Sequence, residues 1–162
     1  MGHQFAEALH TAEDLDLEPF RTMQNHYNLT YREEEREMLP LCEKEDVAVI
    51  PWSPLAGGYL TRPDDAAHDT ERGSDADWEG HRSNGGREIN ERVEELAAEK
   101  GLTMAQISLA WLLHKEWVTA PIVGTTSVEH LEDAVEALEV DLSDSEMEYL
   151  EEPYGAKAIQ GH

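Results

Sequence analysis

Residues 47–60, "VAVIPWSPLAGGYL", join a short apolar run to a turn rich in chain-breaking residues. The run "VAVI" at 47–50 is apolar at every position, which is typical of a strand buried on both faces of a parallel sheet. Two prolines and two glycines follow it, although an ordinary turn needs one such residue. Trp52 lies among them, where a surface turn normally carries a small polar side chain. The end of this strand is therefore a candidate functional site.

The charge of the chain excludes some classes of partner. Its 162 residues include 36 acidic and 12 basic side chains, for a formal charge of −24. This charge repels nucleic acid phosphates and anionic membrane surfaces, so we expect neither as a partner. Dispersed Asp and Glu with few Lys resemble the proteins of salt-accumulating halophiles, and an unusually acidic mesophilic protein is the alternative. With no basic leader and no long apolar run, we expect a cytoplasmic, soluble protein.

The hydrophobic pattern predicts helices and strands in alternation. Strands are expected over 20–29, 47–50 and 119–126, and a helix over 3–15. Capping pairs predict four further helix starts, the first of them a helix from Thr30 to about Glu45 with a kink at Pro40. The pairs are Thr30 with Glu33, Thr103 with Gln106, Thr126 with Glu129, and Ser143 with Glu146. Another helix, with Ile89, Val93 and Leu96 on one face, should end at Gly101, and 61–86 should be a long, mobile acidic loop.

This order indicates an α/β fold with about three parallel strands and flanking helices. Three strands are too few for a complete parallel fold, because a (β/α)8 barrel needs eight strands and about 250 residues. A doubly wound sheet usually has about five or six. Three apolar strands alone leave two unpaired edges, which favour association. We therefore expect that residues 1–162 either assemble with a partner or form part of a larger domain.

Three motifs resemble the aldo-keto reductase family, in the branch related to the potassium-channel β subunits. They are "MQNHYNLTYREEE", "PWSPLAGGYLT" and "APIVGTTSVEHLEDAVEAL". The resemblance implies a (β/α)8 barrel, NADPH as hydride donor, and aldehydes or ketones as substrates. It implies that the three strands match the sixth, seventh and eighth of that barrel, so that the chain is its C-terminal part. The family's catalytic Asp, Tyr, Lys and His would all precede this part, and no catalytic residue is expected here.

The resemblance also implies a set of cofactor-binding residues at the strand ends. Gln24 matches a side chain that bonds the nicotinamide carboxamide, and Trp52 matches an aromatic that stacks on the nicotinamide ring. Ser53, Leu55 and Gly57 match a cradle around the pyrophosphate. Two of these have a structural alternative, since Gln24 could cap a turn and Trp52 could be part of the core. The complete implied set is Gln24, Trp52, Ser53, Leu55, Gly57, Gly124, Thr125, Thr126, Ser127, His130 and Asp133.

The group at 124–133 runs from a strand end into a helix N-terminus, which is an anion-binding arrangement in itself. By resemblance, Thr125, Thr126 and Ser127 lie where the 2′-phosphate of NADP would bind. His130 replaces the family's usual Gln or Arg, and Ala134 replaces an Asn that contacts adenine. NADP is favoured, and NAD stays open because of these departures. An ordinary helix cap is the alternative for 125–130.

Three functions remain open from the sequence. The first is an NADP(H)-dependent oxidoreductase of aldehydes and ketones, present as a fragment without catalytic residues. The second is a non-catalytic module that binds the nucleotide, complements a separately encoded N-terminal half, or self-associates. The third is a truncated gene product without activity. His68 and His81 lie near Asp64, Asp65 and Asp69 in the acidic loop, but no ligand pair there has zinc-type spacing, so no metal is expected.

Overall fold

This computed structural model describes residues 1–66 and 78–159, and helices are the main secondary structure in that part of the chain. The strands are β1 (Thr22–Met23) and β2 (Ala48–Val49), and short 3-10 segments lie at Glu33–Arg36, Ala56–Thr61 and Ala137–Glu139. The helices are α1 (Gly2–Asp14), α2 (Met38–Lys44), α3 (Trp78–Arg82), α4 (Gly86–Lys100), α5 (Met104–Leu113), α6 (Val128–Glu136) and α7 (Asp144–Glu151). In this part of the chain no helix is long and apolar enough to cross a membrane.

The two strands pair in parallel, as the alternating pattern predicts. Thr22 pairs with Ala48, and Met23 pairs with Val49. A third segment continues the arrangement, because Val118 makes a parallel bridge to Val49. A small parallel sheet with flanking helices is therefore confirmed, and its three segments run in one direction.

The third segment does not form the buried strand expected over 119–126. Beyond the bridge at Val118 it has no strand assignment, and Ile122 is exposed. Its Thr119 and Ile122 N–H groups donate to the carbonyl oxygens of Val49 and Pro51, at 2.9 and 2.8 Å. Among the described residues, the third segment pairs only with the chain at β2 and just after it. Pairing on one side leaves its other edge exposed. The strand expected over 20–29 is likewise short, limited to β1.

The expected helix from Thr30 to Glu45 is broken into two pieces. The 3-10 segment ends at Glu37, whose φ of −140° lies outside the helical region. Helix α2 starts afresh at Met38, so Pro40 lies in its first turn. An N–H in the first turn has no helical acceptor, so proline is tolerated there and no kink arises. Thr30 does not cap this region, because its hydroxyl donates to Asn28 Oδ1 at 2.9 Å.

Two other boundaries differ from the sequence prediction. The expected loop over 61–86 contains helix α3, and residues 67–77 of it lie outside the described part. Helix α6 is capped by Ser127 and not by Thr126, since Ser127 Oγ accepts the N–H of His130 at 3.2 Å. Both residues have a hydroxyl, and sequence spacing alone did not separate them.

The remaining capping predictions are confirmed. Thr103 and Gln106 form a reciprocal capping box on α5, and Ser143 and Glu146 form one on α7. Helix α4 ends at Gly101, which has a φ of 68°, a left-handed conformation that glycine adopts without strain. These helices enclose a core in which Trp111 is fully buried and its ring lies 5.3 Å from that of Tyr27.

Asp64 joins the turn after β2 to helices α3 and α4. Its carboxylate is buried and accepts the hydroxyl of Tyr59 at 2.8 Å and the Arg82 guanidinium at 2.7 and 3.0 Å. These hydrogen bonds and the nearby Arg87 hold the pKa of Asp64 below its usual range, against the opposing effect of burial. A buried carboxylate with this set of donors holds the elements around it in place.

We expect Asp64→Ala to lower the free energy of unfolding by about 2 kcal/mol, because it leaves a buried hydroxyl and a partly buried guanidinium without their acceptor. Urea unfolding followed by circular dichroism measures the effect. Asp65→Ala is the matched control, since Asp65 is exposed. Equal midpoints for the two variants would contradict this role of Asp64.

Candidate functional site

The candidate site residues follow the carboxyl ends of the parallel segments. Gln24 comes directly after β1, and Trp52 comes three residues after β2. The Trp52 N–H donates to the Asn25 carbonyl at 2.8 Å, and the two neighbouring segments also meet in a bridge between His26 and Trp52. Because Ile122 bonds Pro51 from the other side, the third segment reaches the same edge. Ligands of parallel α/β folds bind at this edge.

Gln24 and Trp52 line one cavity of about 530 Å³. Its other walls come from α1, the segment before β1, and α2. Trp52 is 39% exposed, a large fraction for a side chain of this size at a strand end. The structure therefore brings an aromatic face and an amide together beside an open space.

The turn after Trp52 has a left-handed backbone at several positions. Ser53 has φ 54° and Ala56 has φ 52°, which non-glycine residues rarely adopt. Gly57 and Gly58 have φ 64° and 99°, which glycine adopts readily. The turn is held by the Asn28 side chain, which donates to the Ser53 carbonyl at 2.9 Å. Non-glycine residues in this conformation persist only where surrounding contacts hold them, and such positions are common at ligand sites.

The residues at 124–133 form a second group at the same end of the sheet. Ser127 caps α6, and Thr125 Oγ1 donates to the Ser127 carbonyl at 3.0 Å and accepts the Ser127 N–H at 3.2 Å. Thr126 and His130 are exposed, and Asp133 is partly buried. None of the residues of this group is among those lining the cavity beside Trp52. The structure therefore places the predicted residues at one end of the sheet but in two groups.

Two buried polar atoms at the cavity have no hydrogen-bond partner within residues 1–66 and 78–159. They are Asn25 Oδ1 and His26 Nδ1, and both residues line the cavity. The other amide atom of Asn25 donates to Glu34 Oε2 at 3.2 Å. Burial of an unpaired polar atom is costly, so such atoms mark places where a further group binds or packs.

His26 is a member of this site that the sequence analysis missed. Its ring lies flat against Trp52, with centroids 4.2 Å apart. Burial lowers the pKa of His26 to about 4, with smaller contributions from His81 and Lys157. The available signal was alternation, since residues 24, 26 and 28 share one face of an extended chain.

Most tyrosine hydroxyls of the described chain donate to carboxylates, which disfavours proton transfer to a carbonyl oxygen. The role of proton donor requires a phenol with a lowered pKa, but four of the five donate to carboxylates. The pairs are Tyr27 with Glu35, Tyr59 with Asp64, Tyr149 with Glu95, and Tyr154 with Glu33. Burial raises the pKa of Tyr27, Tyr59 and Tyr154, and their carboxylate partners raise it further. The fifth, Tyr31, is buried and stacked on His26.

The second cavity is larger, about 750 Å³, but its arginine and lysine are already paired with carboxylates. Arg32 bonds Glu35 and Glu151, and Lys115 also bonds Glu151. Glu151 additionally accepts the indole N–H of Trp111 at 2.8 Å. This network joins α5 to α7 and is explained by its structural role.

Parallel segments joined through helices, with polar residues at their carboxyl edge, define an α/β protein whose candidate site lies at that edge. The family model described as the aldo/keto reductase family matches residues 4–154. The chain belongs to the aldo-keto reductase family, as its motifs predict.

Curated relatives support this assignment along nearly the whole chain. An aldo-keto reductase of Alternaria alternata is 42% identical over 162 residues, which cover 99% of this chain and 44% of that protein. An aldo-keto reductase of Metarhizium robertsii is 45% identical over 98% of this chain and 43% of its own length. The versiconal hemiacetal acetate reductase of Aspergillus parasiticus is 43% identical over 86% of this chain and 42% of its own length. The chain thus spans less than half the length of these relatives.

Proposed function

We propose that this chain is the cofactor-binding C-terminal part of an NADP(H)-dependent aldo-keto reductase barrel that acts on aldehydes or ketones. The observation that carries the proposal is Trp52, which stands at the carboxyl end of β2 beside Gln24 in one cavity. The bound nicotinamide would supply the hydride to a carbonyl carbon. This chain's residues would hold and orient the ring, and they would supply no proton.

The residue types present fit such a cofactor. The exposed face of Trp52 offers a platform for a flat ring, and the Gln24 amide has both a donor and an acceptor for a carboxamide. Stacking fixes which face of a nicotinamide is presented to a substrate, and hydride transfer depends on that orientation. The left-handed turn at Ser53–Gly58 is the kind of backbone that lets N–H groups approach phosphate oxygens.

The preference for NADP over NAD rests on residues 125–130. They place hydroxyls at the N-terminus of α6, where the helix dipole favours an anion. The His130 imidazole can donate a hydrogen bond to a phosphate oxygen. A 2′-phosphate is the feature that distinguishes NADP from NAD, and these residues suit it.

Tight binding of NADPH to the purified chain tests the proposal. We expect NADPH to quench tryptophan fluorescence with a saturable curve, and NADH to bind less tightly. Trp52→Leu should weaken NADPH binding about tenfold, because it removes the stacking surface. Trp117→Leu is the matched control, since Trp117 lines the other cavity. Equal affinity in both variants, or no saturable binding to the unmodified chain, would reject the proposed site.

A complementing module is the second candidate, and one surface favours it. Helix α6 and the 3-10 segment after it expose an apolar stripe at helical spacing, in which Val128 is 72%, Leu131 50%, Val135 56% and Leu138 64% exposed. Exposed apolar stripes of this kind mark contact surfaces. An N-terminal barrel half, or a second copy of this chain, would cover it. Light scattering of the chain alone and with an N-terminal half of a relative distinguishes the two partners.

A further inference from the structure

Three aromatic rings stack in a row at the end of the sheet. The His26 ring lies between Tyr31 and Trp52, with centroid distances of 4.3 and 4.2 Å and interplanar angles of 12° and 18°. Tyr31 is buried at the inner end of the row, and Trp52 forms its outer end. One face of Trp52 is therefore covered by His26.

The orientation of His26 is fixed by Asn28. Asn28 Oδ1 accepts the N–H and the hydroxyl of Thr30, at 3.0 and 2.9 Å, so its Nδ2 is the atom that faces His26 Nε2 at 3.3 Å. An amide nitrogen can only donate, and Nε2 must accept. The ring is then neutral with its proton on Nδ1. The same Nδ2 donates to Ser53, so one side chain holds both the ring and the turn after Trp52.

The neutral His26 ring, stacked on one face of Trp52, limits where a second ring can stack. The face covered by His26 is closed to a second ring, and Trp52 lines the cavity that it shares with Gln24. If Trp52 rotated freely, a ligand ring could stack in more than one orientation. The stack removes that freedom before any ligand binds, which lowers the entropy cost of binding.

We propose that His26, oriented by Asn28, is a positioning residue that fixes Trp52 so that a nicotinamide ring stacks only on the face that His26 leaves uncovered. The inference rests on the proposed function of this site. His26 acts through Trp52, and its own polar atoms need not touch the cofactor.

Variants at His26 separate ring stacking from hydrogen bonding. His26→Phe keeps a flat ring against Trp52, and His26→Ala removes it. We expect His26→Ala to weaken NADPH binding about fivefold and His26→Phe to stay within about twofold of the unmodified chain. Fluorescence titration measures each affinity, and thermal unfolding verifies that each variant folds. Should Ala bind as well as Phe, or Phe as poorly as Ala, the inference is wrong.

A double-mutant cycle tests whether His26 acts through Trp52. In the Trp52→Leu background, His26→Ala should cause no further loss of NADPH affinity, since the ring that it positions is gone. Additive losses would overturn the inference and leave the proposed function standing. Absence of NADPH binding by the unmodified chain would overturn both.

Discussion

Purified chain mixed with NADPH and an aldehyde is expected to leave the NADPH absorbance unchanged over time. The proposed site holds and orients a nicotinamide, but reduction of a carbonyl also needs a proton donor near the oxygen. Four tyrosines donate to carboxylates, which disfavours loss of their own proton to a substrate. The expected rate of NADPH oxidation is therefore the same as the rate without protein.

An added N-terminal half and the Trp52→Leu variant make this experiment decisive. An N-terminal half taken from a relative and added in excess should produce NADPH oxidation that depends on Trp52, since it would bring the residues that the family uses for catalysis. Steady oxidation by the chain alone, abolished by Trp52→Leu, would show that the chain has its own proton donor. That result would contradict the division of roles proposed here.

The thermal midpoint of the chain is expected to rise by about 10 °C between dilute buffer and about 2 M KCl. Acidic residues outnumber basic ones by 24, so repulsion exceeds attraction across the surface. Helix α6 illustrates this repulsion, because it has like charges four residues apart at Glu129 and Asp133 and at Glu132 and Glu136. Salt shortens the range of these repulsions to about 3 Å at 1 M. Such dependence would also favour the halophilic interpretation of the composition.

Glu132→Lys provides a control for the electrostatic cause. It replaces one of these repulsive charges with an attractive one, so the midpoint in dilute buffer should rise and the response to salt should decrease. Differential scanning fluorimetry at several salt concentrations measures both. A midpoint independent of salt, with a cooperative transition in dilute buffer, would contradict the screening argument.

Local patterns predicted the parts of the fold that depend on local interactions. The capping boxes at Thr103 and Ser143 and the glycine end of α4 follow from hydrogen bonds between residues close in sequence. Strand lengths did not follow, because a strand lasts only as long as a neighbour pairs with it. The apolar segment at 119–126 has one such neighbour among the described residues and stays exposed.

The candidate site was likewise predicted in part from the sequence and defined in part by the folded structure. Motif resemblance placed Gln24 and Trp52 at strand ends, and the parallel register brings both to one cavity. Alternation places His26 on the same face as Gln24, but its role is defined by contacts with Tyr31 and Trp52, which depend on the folded structure. The apolar residues of α6 match a core-facing helix in sequence, but nothing in the described chain covers them.

Mapping NADPH onto the chain by two-dimensional NMR tests the central claim most directly. Amide and indole signals of the labelled chain would be followed during a titration with NADPH. We expect the largest shifts at Gln24, Trp52, the turn at 53–57 and residues 124–127, with little change around Glu151 in the other cavity. Shifts centred on that other cavity, or none at saturating NADPH, would contradict the assignment of this edge of the sheet as the cofactor site.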